Sequence, residues 1–281
     1  MFLSTLAFFC ANIFVKQVSH IPAMEIVFFR CLVAASFCVY GLQKDGGSLI
    51  GENHLLLFLR GAFGTTALYF FFVTLQQMPL ATAQTIQYLS PIFTATIAIF
   101  LLKESVRAMQ WLFYALAFGG VLLIQQVDTR VSPFYVALGI LSALGSGVAY
   151  NLVRTMRGRE HPLTVVLHFQ LVGLIAGGIS LFFYWVTPVG IEWLFLLFIG
   201  IFSQAGQVFL TKALQAEKAA GVAIINYTGL VYAITAGWLI FGEEQSLLTL
   251  AGMSLVVFGV FLSVMYGRRR NRIEAIESTA G

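Results

Sequence analysis

Charge is what this chain has least of. Of its 281 residues 10% are charged and 59% are hydrophobic, against roughly 25% charged in soluble domains. A soluble globule of this length could not hide so much apolar surface, so the solvent must be lipid. Aspartate is scarcer still. Asp45 and Asp128 fall between apolar segments, and no glutamate sits near the centre of one. An intramembrane aspartyl protease, which needs two mid-helix aspartates, is excluded, and proton antiport through a central carboxylate lacks its carrier. There is no HExxH, so no zinc protease and no metal site is expected. Cys10, Cys31 and Cys38 lie inside apolar segments without a CxxC and read as small packed side chains. The net charge of +4 gathers at segment ends instead of forming a nucleic-acid patch. No cofactor and no nucleic-acid partner are expected.

What is there is a series of long apolar runs. Crossing the hydrocarbon takes about 20 residues of helix. Ten segments qualify: 2–18, 26–42, 55–75, 80–102, 109–126, 133–153, 163–186, 193–214, 219–241 and 247–266. The first lacks a basic leader and a cleavage site, and Asn12 and Lys16 interrupt it, so it reads as a membrane helix and not a signal peptide. It begins at residue 2, so a short lost leader is an open expectation. Only the tail, 267–281, is a candidate for disorder.

Basic residues test the count. With both termini cytoplasmic, the inside receives Lys44, Arg60, Lys103, Arg107, Arg154, Arg157, Arg159, Lys212, Lys218, Arg268, Arg269, Arg270 and Arg272. The outside receives Lys16, Arg30 and Arg130. Thirteen against three is the bias that cytoplasmic loops should carry. The expectation is a multi-pass protein of the plasma membrane, the inner membrane in a bacterium, with both termini cytoplasmic.

The chain also repeats itself. A shift of 139 residues places Leu55, Gly61, Phe63 and Phe70 on Leu194, Gly200, Phe202 and Phe209. It places Leu75-Gln76 on Leu214-Gln215, Tyr88 on Tyr227, Glu104 on Glu243 and Asn12 on Asn151. Five segments fall in each copy, so the second copy enters from the opposite side. Inverted repeats build the halves of many transporters, with the substrate between them. The fold class is therefore an all-α membrane protein, ten transmembrane helices as two inverted five-helix repeats. Short links such as Gln76–Pro79 leave no place for an extramembrane domain, and Gly139, Ala143 and Gly147 mark a close helix contact.

Particular residues carry a resemblance. The first segment ends Asn12-Ile-Phe-Val-Lys16, and the second opens on Phe29-Arg30. The fourth reads Pro79-Leu-Ala-Thr-Ala-Gln-Thr-Ile-Gln-Tyr-Leu-Ser-Pro91-Ile-Phe-Thr and closes on Leu102-Lys103-Glu104, and the ninth ends Phe241-Gly242-Glu243. Over residues 1–266 the chain resembles the EamA group of the drug/metabolite transporter superfamily. The resemblance implies one repeat over 1–126, a second over 133–266 and a basic cytoplasmic tail over 267–281. It also implies a central cavity lined by helices one, three, four, six, eight and nine, and a cargo of small metabolites such as amino acids or drugs, commonly exported.

Strongly polar side chains inside apolar helices face the bundle interior, a wet cavity or the interface. Gln84, Gln87 and Tyr88 share a face of segment four with Pro91. Asn226 and Tyr227 are the register partners of Gln87 and Tyr88. Gln204, Gln207 and Thr211 share a face of segment eight, and Asn12 answers Asn151. These are the candidate substrate-binding residues: Asn12, Gln84, Gln87, Tyr88, Asn151, Gln204, Gln207, Asn226 and Tyr227. Amides and phenols both donate and accept, so they fix no single substrate charge. The alternative is that they bond helix to helix. Pro91 deprives the Gln87 carbonyl of its donor, giving either a functional kink or a tolerated proline. Lys16 and Arg30, at the outer ends of their segments, read as snorkelling or topology residues, or as attracting an anionic or zwitterionic substrate at the outer mouth, with Glu25 able to pair with either. Glu104 and Glu243 read as helix-end structure, and His168 as a packed imidazole or a proton carrier.

Together these features predict a transporter of a small-molecule substrate in a lipid bilayer, working by alternating access. A lipid flippase or a passive channel is the alternative, and an enzyme is not expected, although Ser146 and His168 occupy neighbouring segments.

Overall fold

A computed structural model describes residues 2–103, 106–216 and 228–280, with side chains for all of these except 127, 216, 228 and 268–280. Every regular element among the described residues is a helix. The first repeat runs through α1 (Phe2–Gln17), α2 (Ala23–Asp45), α3 (His54–Gln77), α4 (Leu80–Gln87), α5 (Ser90–Leu101) and α6 (Ala108–Val127). The second runs through α7 (Pro133–Thr155), α8 (Pro162–Leu181), α9 (Glu192–Ala216), α10 (Thr228–Phe241) and α11 (Leu247–Ala280). Eight helices are long and apolar enough to cross a membrane, with α4 and α5 counted as the single span Leu80–Leu101. Phe2–Gln17 and Gly229–Phe241 are the shorter apolar helices that bring the spans to ten.

The packing repeats with the sequence. Helix α3 lies along α7 as α1 lies along α9, and α3 touches α8 as α2 touches α9. Helices α2 and α8 pack on each other, as do α6 and α11. Exchanging each span for the one five places on maps these pairings onto one another or onto themselves, which is the signature of a twofold relation. An odd number of crossings per repeat places that axis in the membrane plane. Large apolar side chains such as Phe100, Ile175 and Leu239 point outward, where a soluble protein would bury them. Inside, Phe14 of α1 packs among Phe195, Phe198 and Phe202 of α9.

Three helix limits differ from the sequence reading. The fourth span is two helices. The Leu89 N–H reaches back to the Ile86 carbonyl at 3.0 Å, a tightened turn, and Pro91 sits in the first turn of α5, where no donor is needed. The seventh span stops at Leu181, five residues short of the segment. Phe182, Phe183, Tyr184 and Trp185 are exposed beyond it, aromatic residues of the type that lines a membrane–water boundary. The tail expected to be disordered continues α11 to Ala280. Arg, Glu and Ala are good helix formers, and extending an existing helix needs no new nucleus.

Candidate functional site

A cavity of about 150 Å³ lies between the repeats. Its wall takes Ser4, Thr5, Phe8 and Asn12 from α1, Arg60, Gly64, Ala67, Leu68, Phe71 and Phe72 from α3, Gln84 and Gln87 from α4, Tyr88 from the turn that follows, and Ser90 from α5. Ser146, Ala149 and Tyr150 come from α7, and Ser203, Gln207 and Leu210 from α9. Two spans outside the expected lining also contribute, α2 through Arg30 and α8 through Phe169.

The break between α4 and α5 places the amides. The Asn12 amide donates to Gln84 Oε1 at 3.1 Å, and Gln84 faces the Tyr88 hydroxyl. Gln87 donates to Ser146 Oγ at 2.9 Å and accepts from Ser142 Oγ at 3.0 Å, so it lines the cavity and also binds α4 to α7. Gln207 lines the cavity with its amide 3.4 Å from Thr211 Oγ1. The fold thus brings Asn12, Gln84, Gln87, Tyr88 and Gln207 to one wall.

Two other candidates lie away from that wall. Asn151 is wholly buried, donating to the Thr94 and Gly147 carbonyls at 2.8 and 3.0 Å and accepting from Arg154. It staples α7 to α5 although its register partner Asn12 faces the cavity. Gln204 donates to Cys38 Sγ at 2.9 Å and accepts from Gln170. Both are helix-to-helix amides. Asn226, Tyr227 and Glu104 lie outside the described residues.

Lys16 and Glu243 have a role that spacing did not give them. They form an ion pair at 2.6 Å, both largely buried. Lys16 also donates to the Met78 carbonyl at 2.6 Å, and Glu243 accepts from the Leu80 N–H at 2.8 Å. This knot ties α1, α10 and the link between α3 and α4 at one end of the bundle. Glu25, expected near Lys16 or Arg30, accepts instead from the Val186 N–H at 3.0 Å. His168 bonds the Thr164 carbonyl of its own helix and is outside the cavity lining.

The arginines are the residues that sequence reasoning misplaced. Arg30 and Arg60 are each 2% exposed and line the cavity. Their Cζ atoms lie 5.3 and 4.4 Å from the centre of the same Phe169 ring, within cation–π range. A shift of 139 residues places Arg30 on Phe169, and α2 packs on α8, so the pair meets across the repeat axis. A guanidinium at the centre of a membrane helix costs about 2.5–3.5 kcal/mol on insertion scales. That cost was itself the available signal: both arginines fall inside apolar segments.

A helical bundle of two inverted repeats enclosing a polar cavity at their interface is the architecture of a membrane transporter. The chain belongs to the EamA-like transporter family, which it matches over residues 1–126 and 133–265. It is 31% identical over 258 residues to the pseudopaline exporter CntI of Pseudomonas aeruginosa strain UCBPP-PA14, covering 91% of each chain. Solute carrier family 35 member G1 of Homo sapiens is 33% identical over 273 residues, covering 91% of this chain and 75% of its own length. The S-adenosylmethionine uptake transporter of Rickettsia prowazekii is 23% identical, covering 92% and 88%. A solved crystal structure superposes with a TM-score of 0.67 at 18% identity, covering 95% of this chain and 98% of its own, a likeness of fold. The protein is a multi-pass membrane transporter of small metabolites.

Proposed function

We propose that the protein carries its solute through the central cavity by alternating access, with both termini in the cytoplasm and the Lys16–Glu243 knot at the outer end. The observation that carries this reading is the cavity itself: it lies at the repeat interface with amides, hydroxyls and two guanidinium groups in its wall, and a knot at one end of the bundle joins both repeats. Breaking the knot would free α1 from α10 and let the halves rock about the site. Asn12, Gln84, Gln87, Tyr88 and Gln207 are the amides and phenol placed to hold the solute. Relatives are named for export and for uptake, and a rocking carrier serves either direction according to the gradients.

Facilitated movement or exchange fits the lining better than proton coupling. Among the described lining residues the titratable groups are Arg30, Arg60, Tyr88 and Tyr150, whose ordinary pKa values of about 10 or above lie far from neutral. His168 lies off the path, so His168→Gln should leave transport intact. Transport, not catalysis, also suits Ser146, whose hydroxyl is engaged by Gln87.

The test is counterflow in proteoliposomes, using a labelled metabolite chosen because it raises the Tm of the purified protein. The wild type should accumulate label transiently above equilibrium, which a channel cannot do. Ser146→Trp, which fills the cavity, should abolish counterflow in protein that still elutes as a folded species. Counterflow at the wild-type rate in that variant would place the route elsewhere.

A further inference from the structure

Arg30 and Arg60 are a pair of buried cations with no carboxylate partner among the described residues. The Nε and Nη1 atoms of both are buried without a hydrogen-bond partner. Among the described residues neither arginine forms an ion pair with a carboxylate, and the described cavity lining contains no Asp or Glu. Glu25 bonds the Val186 N–H, and Glu243 is held by Lys16. Phe169 gives each guanidinium a π-face. A quadrupole compensates only part of a lost hydration shell, and it does nothing to relieve repulsion between two like charges.

We propose that Arg30 and Arg60 form a subsite for the two negative groups of an organic dianion, and that the carried solute is a small dicarboxylate. The inference rests on the cavity being the transport site. Each guanidinium matches a carboxylate through paired N–H donors, which gives direction as well as charge. Gly64 makes room for the Arg60 guanidinium beside the Phe169 ring, since a Cβ there would collide with Arg60 Nη1 and press on that ring. The rest of the wall fits a carbon skeleton with polar ends. Phe8, Phe71 and Phe72 supply apolar surface, while Gln84 and Gln87 supply amide donors. An inorganic dianion would satisfy the charge and leave the aromatic wall unused. A zwitterion would bring an ammonium beside two cations, with no acid in the described lining to receive it.

The experiment measures binding to the purified full-length protein by thermal shift and calorimetry. The probes are malonate, succinate and glutarate, the diamide of each, and sulfate. The expected result is that at least one dicarboxylate binds at least about tenfold more tightly than its diamide and than sulfate, a difference of about 1.4 kcal/mol. Arg30→Gln and Arg60→Gln should each erase that preference. Both should fold at least as well as the wild type, because each removes an unpaired buried charge. The labelled dicarboxylate should also show counterflow.

Equal binding of dicarboxylates and diamides would overturn the proposal, as would tighter binding of sulfate or a preference that survives both substitutions. Dicarboxylate binding without counterflow would overturn the assignment of the solute. Failure of the underlying reading looks different: dicarboxylates would bind through the arginines, yet Ser146→Trp would exchange them as the wild type does.

Discussion

Asp128 and Arg130 hold the turn between α6 and α7. Arg130 donates to the two carboxylate oxygens at 2.9 and 2.8 Å and reaches the Glu244 carbonyl at 2.8 Å, tying that turn to the end of α10. These hydrogen bonds hold the Asp128 carboxyl below its ordinary value of 3.8. A carboxyl whose folded pKa is depressed contributes stability above its unfolded pKa and loses it as pH falls through the folded one. The expected outcome is a Tm that declines as the buffer is taken below about pH 4. Asp128→Asn should have a lower Tm at neutral pH and a smaller acid-dependent decline, and an unchanged profile would show that the link contributes nothing. Single residues were the least legible scale in the sequence. Gln84, Gln87 and Tyr88 were readable because spacing alone put them on one face. Arg30 and Arg60 fall near segment ends in sequence, where limits are uncertain by about a turn, and a charge near an end looks like a topology marker. Their meeting at Phe169 depends on how α2, α3 and α8 pack, which no local pattern encodes.

At the scale of elements, close helix contacts set what the bundle tolerates. A Cβ at Gly147 would lie 2.8 Å from the Phe93 Cβ and 2.9 Å from backbone atoms of Phe93 and Thr94. Backbone cannot yield as a flexible side chain can, so α7 approaches α5 only because residue 147 is glycine. Gly147→Leu should destabilise the bundle by at least about 1–3 kcal/mol, the usual cost of overpacking. Thermal unfolding in detergent checks this, and a Tm equal to the wild type would mean α5 and α7 are free to separate. The small-residue pattern of this helix was visible in sequence because it is periodic. Pro91 pointed to a break, yet the tightened turn falls at Tyr88–Leu89, where α4 ends against α7. The seventh apolar segment runs past its helix because hydropathy does not separate a helix end from aromatic residues beside it.

For the whole molecule, repeat and charge bear on different things. The 139-residue register reflects duplication, and the exchange of helix pairings is its structural counterpart. Spans were legible because lipid demands continuous apolar helix. With Arg30 and Arg60 in the cavity, the basic-residue balance becomes twelve against two, and the proposed orientation keeps its bias. Function lies in how the bundle exposes its cavity, and that is open to direct measurement. In a variant without Cys10, Cys31 and Cys38, Ser146→Cys places one thiol on the cavity wall. Sealed vesicles of known orientation are treated with a membrane-impermeant maleimide from either face. With the Lys16–Glu243 knot intact, the account predicts labelling from the cytoplasmic face alone. With Glu243→Gln added, labelling from the outer face should appear while labelling from the cytoplasmic face falls. Equal labelling from both faces, or outer labelling unchanged by Glu243→Gln, would contradict a cavity that opens to one side at a time.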